Sequence, residues 1–168
     1  MKKQALTLPI NGIILSLGSN LGNKELNINR ALNLLNIKGW DILKVSSFFE
    51  TEPWGNEDQP WFINNIVCAK FSGSPKDAIN SIYQIEKELG RIREVHWGER
   101  SIDIDIVYWD KVFIKNEILQ IPHLNYRNRK FVLLPLKELF PDFFDLEVRK
   151  NITQLLGECS DSLICRMA

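Results

Sequence analysis

The chain has 168 residues, 45% of them hydrophobic and 25% charged, which suits one folded domain spanning 1–168 and excludes a disordered or fibrous chain. Its 21 basic residues balance 21 acidic ones, so no overall positive field draws nucleic acid or anionic lipid. Cys68, Cys159 and Cys165 fit neither a zinc motif nor a disulfide framework, the stretch after Lys2 and Lys3 is too polar for a signal peptide, and no apolar run spans a bilayer; the expected compartment is the reducing cytoplasm. In chain order, Ile13-Ile14-Leu15-Ser16-Leu17 reads as a buried strand closed by Gly18, with 18–23 as the turn. From Lys24, the residues Leu26, Ile28, Ala31, Leu32, Leu34 and Leu35 keep helical spacing up to Gly39.

A second strand is expected over 41–49, then a loop rich in Pro, Gly, Asn and Asp over 51–60, then a third strand over 62–71. Ser74, Pro75 and Asp77 have the spacing of a helix start, and Ala78, Ile79, Ile82, Ile85 and Leu89 give an apolar stripe that stops at Gly90. The charged stretch 91–100 reads as an exposed loop and 102–109 as a strand. Beyond it come a short strand near 112–114, a loop at Pro122-His123, and a helix over 133–140 ended by Pro141. Strand, helix, strand, strand, helix, strand is the order of an α+β, ferredoxin-like split βαβ sandwich, with an antiparallel-rich sheet and helices stacked on one face.

The chemistry concentrates in Ile102-Asp103-Ile104-Asp105-Ile106. A strand's period of two sends both aspartates to one face and the isoleucines to the other. Carboxylates about 7 Å apart repel and call for a cation, and hard oxygen ligands favour magnesium carrying phosphates over zinc. A solvated strand face is the plain alternative for an isolated pair. Here Arg91, Arg93, His96 and Arg100 lie upstream, with His123, Arg127 and Arg129 downstream, and arginine forks match phosphate oxygens. No Walker-type glycine loop is present, so a polyphosphate would be held by side chains and metal. Trp54, Trp61, Phe62, Trp97 and Phe131 fall in or beside loops, where they cap a core edge or, with Thr51 and Asn64, stack on and hydrogen-bond a flat heterocycle.

Several segments together resemble the 6-hydroxymethyl-7,8-dihydropterin pyrophosphokinase family of folate biosynthesis over nearly the whole chain. They are Leu17-Gly18-Ser19-Asn20-Leu21-Gly22, Ser46-Ser47, Thr51-Glu52-Pro53-Trp54-Gly55, Asp58-Gln59-Pro60 with Asn64, and Pro122-His123. The most specific are His96-Trp97-Gly98-Glu99-Arg100-Ser101 running into the aspartate strand, and Arg129-Lys130-Phe131-Val132-Leu133-Leu134-Pro135-Leu136. The resemblance implies transfer of pyrophosphate from ATP to the pterin hydroxymethyl group, with AMP released. It implies two magnesium ions on Asp103 and Asp105, and Arg91 and Arg100 closing over the phosphates with Trp97. It further implies ATP contacts from Glu86, Arg93, Ile106, His123 and Arg129, and a pterin held by Phe62 and Phe131 and read by Asn64 and the segment Thr51, Glu52, Trp54. Phe62 and Leu124 depart from the residues usual there. The implied partners are ATP and the pterin, without nucleic acid or membrane, and the implied state is a monomer.

Two other classes share this topology. A nucleic-acid-binding module would stack bases on sheet aromatics, which the neutral charge and the acidic pair disfavour. A catalytically dead regulatory domain would have no use for the intact acids and arginines.

Overall fold

The structure, a computed structural model, describes residues 7–91 and 98–168. Its elements are β1 (Ile13–Ser19), α1 (Lys24–Ile37), β2 (Asp41–Val45), β3 (Phe49–Thr51), β4 (Phe62–Lys70), α2 (Pro75–Glu88) and β5 (Asp103–Trp109). There follow β6 (Ile114–Lys115), β7 (Gln120–Ile121), α3 (Lys130–Leu139), β8 (Phe144–Asp145), β9 (Lys150–Asn151), α4 (Ile152–Glu158) and β10 (Cys165–Met167). The main sheet has the order β10-β3-β4-β1-β5, with β2 also on β4, and all its pairs are antiparallel. With β2 and β3 counted as one interrupted strand, this is the expected ferredoxin-like α+β arrangement. Among the described residues no helix is long and apolar enough to cross a membrane.

Local chemistry sets the helix limits. Ser74 Oγ accepts from the Asp77 backbone N–H at 3.2 Å while the Ser74 N–H donates to Asp77 Oδ2 at 2.9 Å, a full capping box built on aspartate. At the far end Gly90 takes the left-handed conformation, φ +79°, just beyond the last turn of α2. Asn23 starts α1 in the same way, accepting from the Leu26 N–H at 3.0 Å.

Three expectations need correction. The strand expected to close at Gly18 continues to Ser19, because Gly18 pairs with Asn64 on one side and Asp103 on the other. The strand expected over 41–49 is two strands. Between them Ser46 takes over the ladder, its N–H donating to the Ile66 carbonyl and its hydroxyl accepting from the Ile66 N–H, both at 2.9 Å. Helices also cover both faces of the sheet. Ile13, Leu15 and Leu17 pack with α1 and α2, whereas Ile14, Ile66 and Cys68 pack with Val132, Leu133 and Leu136 of α3 and with Ile152 and Leu155 of α4. The first face is the expected one; the second is covered by α3, which begins at Lys130 rather than at 133, and by α4, which no sequence pattern announced.

The second layer is pinned by an ionic cluster. The fully buried Asp145 accepts from Tyr126 Oη, from Arg127 Nε at 2.7 Å, and from the Glu147 N–H at 2.8 Å. Burial alone would raise this carboxyl, but the hydrogen bonds from Arg127 and Tyr126 outweigh it and hold it below the usual carboxylate range. Asp145→Ala leaves the buried Tyr126 hydroxyl without its acceptor and Arg127 with Glu147 alone, and is expected to cost about 3 kcal/mol in urea unfolding near neutral pH. Since the folded state lowers this group's proton affinity, its stabilisation is present at neutral pH and fades as pH falls below about 4. The variant should therefore lose less stability than the parent over that acid range.

Candidate active site

Helices α3 and α4 cover only part of the second sheet face. At the uncovered end, cross-strand pairing brings together Gly18 and Ser16 of β1, Asn64 and Phe62 of β4, Thr51 of β3, and Asp103 and Asp105 of β5. Two clefts meet there. One, of about 450 Å³, is lined by Thr51, Trp54, Phe62, Asn64, Arg129 and Phe131. The other, of about 350 Å³, lies between α2, β5 and the β6–β7 hairpin and is lined by Ile79, Tyr83, Ile106, Leu119, Gln120 and Leu124. Arg91, Asp103, Asp105 and His123 line both.

Electrostatic repulsion between the two acids is balanced unequally. Asp103 accepts from Arg91 Nη1 at 2.6 Å on one oxygen and from Arg100 Nη1 at 2.7 Å on the other. Arg91 is anchored from behind by the buried Glu86, whose Oε1 also accepts from the Ile104 N–H at 3.0 Å. Among the described residues none gives Asp105 such a hydrogen bond. Burial first, and then the neighbouring Asp103, push its carboxyl well above the usual carboxylate range, with the Arg129 charge opposing. Among the described residues two arginines meet Asp103 and none hydrogen-bonds Asp105, which leaves the pair short of positive charge at Asp105.

His123 is held by its own N–H, which donates to the Val107 carbonyl at 2.8 Å. The Asn125 N–H donates to His123 Nδ1 at 3.2 Å, which places the ring proton on Nε2. Burial and the Arg129 charge lower its pKa to about 4, so the ring is neutral at physiological pH and Nε2 can donate without carrying charge.

The larger cleft is aromatic and cationic. The Arg129 guanidinium lies 5.6 Å from the ring centres of both Trp54 and Phe131, and Arg100 lies 5.6 Å from that of Phe62. Arg129 Nε is buried without a hydrogen-bond partner. Asn64, only 5% exposed, donates from Nδ2 to Thr51 Oγ1 at 2.7 Å. Its Oδ1 sits where a Cβ on Gly18 would come within 2.4 Å, so glycine is required across the strand from it.

Most residues singled out in the sequence thus line one cleft or both: Arg91, Arg100, Asp103, Asp105, Ile106, His123, Arg129, Thr51, Glu52, Trp54, Phe62, Asn64 and Phe131. Glu86 lines the smaller cleft and also anchors Arg91. Arg93, His96 and Trp97 lie outside the described residues. Sequence reasoning read Ile79 only as part of the apolar stripe of the second helix and gave no role to Tyr83, Leu119 and Gln120, which have no local pattern. It also gave none to Asn20, although Asn20 sits in the quoted 17–22 segment. Asn20 accepts from the Arg100 N–H at 2.9 Å and donates to Gln59 Oε1 and the Pro60 carbonyl, both at 3.1 Å, tying the arginine segment to the aromatic loop.

The donor set fits magnesium. Among the described residues no group of three or more His, Cys, Asp or Glu could hold a metal by itself. Two carboxylates without soft ligands suit an ion that keeps phosphate or water oxygens in the rest of its shell.

A family model described as 7,8-dihydro-6-hydroxymethylpterin-pyrophosphokinase (HPPK) matches residues 14–141. The 2-amino-4-hydroxy-6-hydroxymethyldihydropteridine pyrophosphokinase of Bacillus subtilis is 43% identical over 126 residues, covering 74% of this chain and 75% of its own. The Haemophilus influenzae protein of the same name is 33% identical over 154 residues, covering 91% and 96%. The folic acid synthesis protein fol1 of Schizosaccharomyces pombe is 43% identical over 150 residues, but the chain spans only 20% of it. Among solved structures, a crystal structure of Plasmodium falciparum HPPK-DHPS superposes with a TM-score of 0.69 at 18% identity, covering 88% of this chain and 42% of that one, a likeness of fold. By its family match and its bacterial relatives, the chain belongs to the 7,8-dihydro-6-hydroxymethylpterin-pyrophosphokinase family.

Proposed function

We propose that the chain transfers the pyrophosphoryl group of ATP to the hydroxymethyl oxygen of 6-hydroxymethyl-7,8-dihydropterin, with the pterin in the aromatic cleft and the nucleotide in the cleft beside the β6–β7 hairpin. The observation that carries this reading is the meeting of two clefts over one pair of carboxylates, with Arg91 and His123 common to both. A bisubstrate transfer needs two pockets whose contents touch at the reacting atoms.

The acceptor oxygen forms a bond to the β-phosphorus, the bond from that phosphorus to the α,β-bridging oxygen breaks, AMP leaves with the bridging oxygen, and the hydroxyl proton is lost. Phe62 and Phe131 sandwich the pterin, and Asn64, fixed by Thr51, reads its edge with the backbone near Trp54. Ile79, Ile106 and Leu119 give the nucleotide base an apolar seat. Arg91 and Arg100 exchange Asp103 for phosphate oxygens, and His123 donates from Nε2. Asp103 and Asp105 would hold two magnesium ions, which supply charge neutralisation and a template for the phosphate oxygens. On this reading the chain works as a cytoplasmic monomer whose partners are the two small substrates.

The direct test is an assay for AMP release that depends on both ATP and the pterin; ATP hydrolysis indifferent to the pterin would refute the assignment. Asp103→Ala or Asp105→Ala is expected to lower turnover by at least about a hundredfold with an unchanged circular dichroism spectrum. Phe62→Ala should raise KM for the pterin by up to about tenfold and leave KM for ATP in place, since it removes one stacking face. Equal effects on both substrates would move the pterin out of the aromatic cleft.

A further inference from the structure

The segment after α4 lies beyond the 14–141 family match and carries no motif, yet it touches both walls of the aromatic cleft. On one side β10 extends the sheet at β3, pairing Cys165 with Thr51 and Arg166 with Glu50. The Glu52 N–H donates to the Ile164 carbonyl at 3.1 Å, and the Ile164 N–H donates back to Glu52 Oε2 at 2.7 Å. Arg166 pairs with Glu50 at 2.7 Å and lies 5.4 Å from the ring centre of Trp61. The wall that carries Thr51 and Trp54 is therefore fixed from behind, and the Glu52 carboxylate is engaged by the tail.

On the other side the tail supplies what α3 lacks. The helix begins at Lys130, and its N-cap, Arg129, makes no side-chain cap hydrogen bond. Asp161 fills that role from 31 residues away: its Oδ2 accepts from the Lys130 N–H at 2.9 Å, while its Oδ1 accepts from the Leu163 N–H at 3.0 Å. Arg129 and Phe131, the two cleft residues of that wall, flank the capped position.

Resting on the reaction assigned above, we infer that the segment 161–167 is a positioning element for the pterin cleft and that Asp161 is its positioning residue. The tail spans the cleft from behind and sets the separation of the 51–54 wall from Phe131. Among the described residues none of 161–167 lines the hairpin cleft, so its influence falls mainly on the pterin, with a smaller effect reaching Arg129.

Steady-state kinetics of the full chain test this. Asp161→Ala is expected to raise KM for the pterin by about tenfold, with kcat and KM for ATP within about twofold of the parent. Asp161→Asn keeps one acceptor oxygen, which can cap the Lys130 N–H but not the Leu163 N–H as well, and should restore part of the loss. A lower unfolding midpoint with an unchanged pterin KM, or equal changes for both substrates, would reduce the segment to a general support and overturn the inference. Should Asp161→Ala not fold, Arg166→Ala decides: exposed and remote from the cap, it should raise pterin KM by about threefold, and a parental value overturns the clamp. A parent chain without pterin-dependent AMP release overturns the reaction itself, whereas parental pterin KM in the folded variants overturns the clamp alone.

Discussion

Two carboxylates on the same face of one strand repel, and the surroundings of Asp103 and Asp105 are organised around that repulsion. Asp103 is matched by two guanidinium groups, one for each oxygen. Glu86, itself almost fully buried, holds Arg91 in place and also fixes the backbone of Ile104 between the acids. Among the described residues Asp105 has no such partner, and burial and the neighbouring Asp103 raise its carboxyl. A pair so unevenly balanced accepts further positive charge at one member, while the arginines on the other can turn to an anionic ligand.

The clefts on either side follow from incomplete coverage. Helices α1 and α2 seal one face of the sheet with a continuous apolar cluster. On the other face α3 and α4 seal the end that carries Ile14, Ile66 and Cys68, and the rest of that face is the aromatic cleft. The β6–β7 hairpin and α2 wall off the second cleft from the side of β5. Polar side chains on the open end bond to near neighbours, Asn64 to Thr51 on the adjacent strand and Asp103 to Arg91 and Arg100, which precede β5.

Much of this was legible in the sequence where the signal is local. The capping box at Ser74, the stop at Gly90 and the alternation of 102–106 depend on residues within a few positions, and the structure shows each in place. The start of α3 was not legible, since its cap comes from Asp161 and no nearby side chain announces it. The break between β2 and β3 was hidden for a similar reason: Ser46 substitutes for a backbone partner of Ile66, a role that only the folded sheet defines. The acids and arginines of the site could be named from their charge and clustering, whereas Ile79, Tyr83 and Leu119 are ordinary apolar residues until the hairpin folds beside them.

The alternation along β5 has a wider consequence for how such a chain can vary. Ile104 and Ile106 pack into the core with α1 and α2, Ile106 also bordering the hairpin cleft, while Asp103 and Asp105, interleaved with them, line both clefts. The demands of the core and of the clefts therefore fall largely on different residues of a single strand. Drift in substrate handling can proceed there without eroding the scaffold, so long as no insertion or deletion changes the parity of the strand.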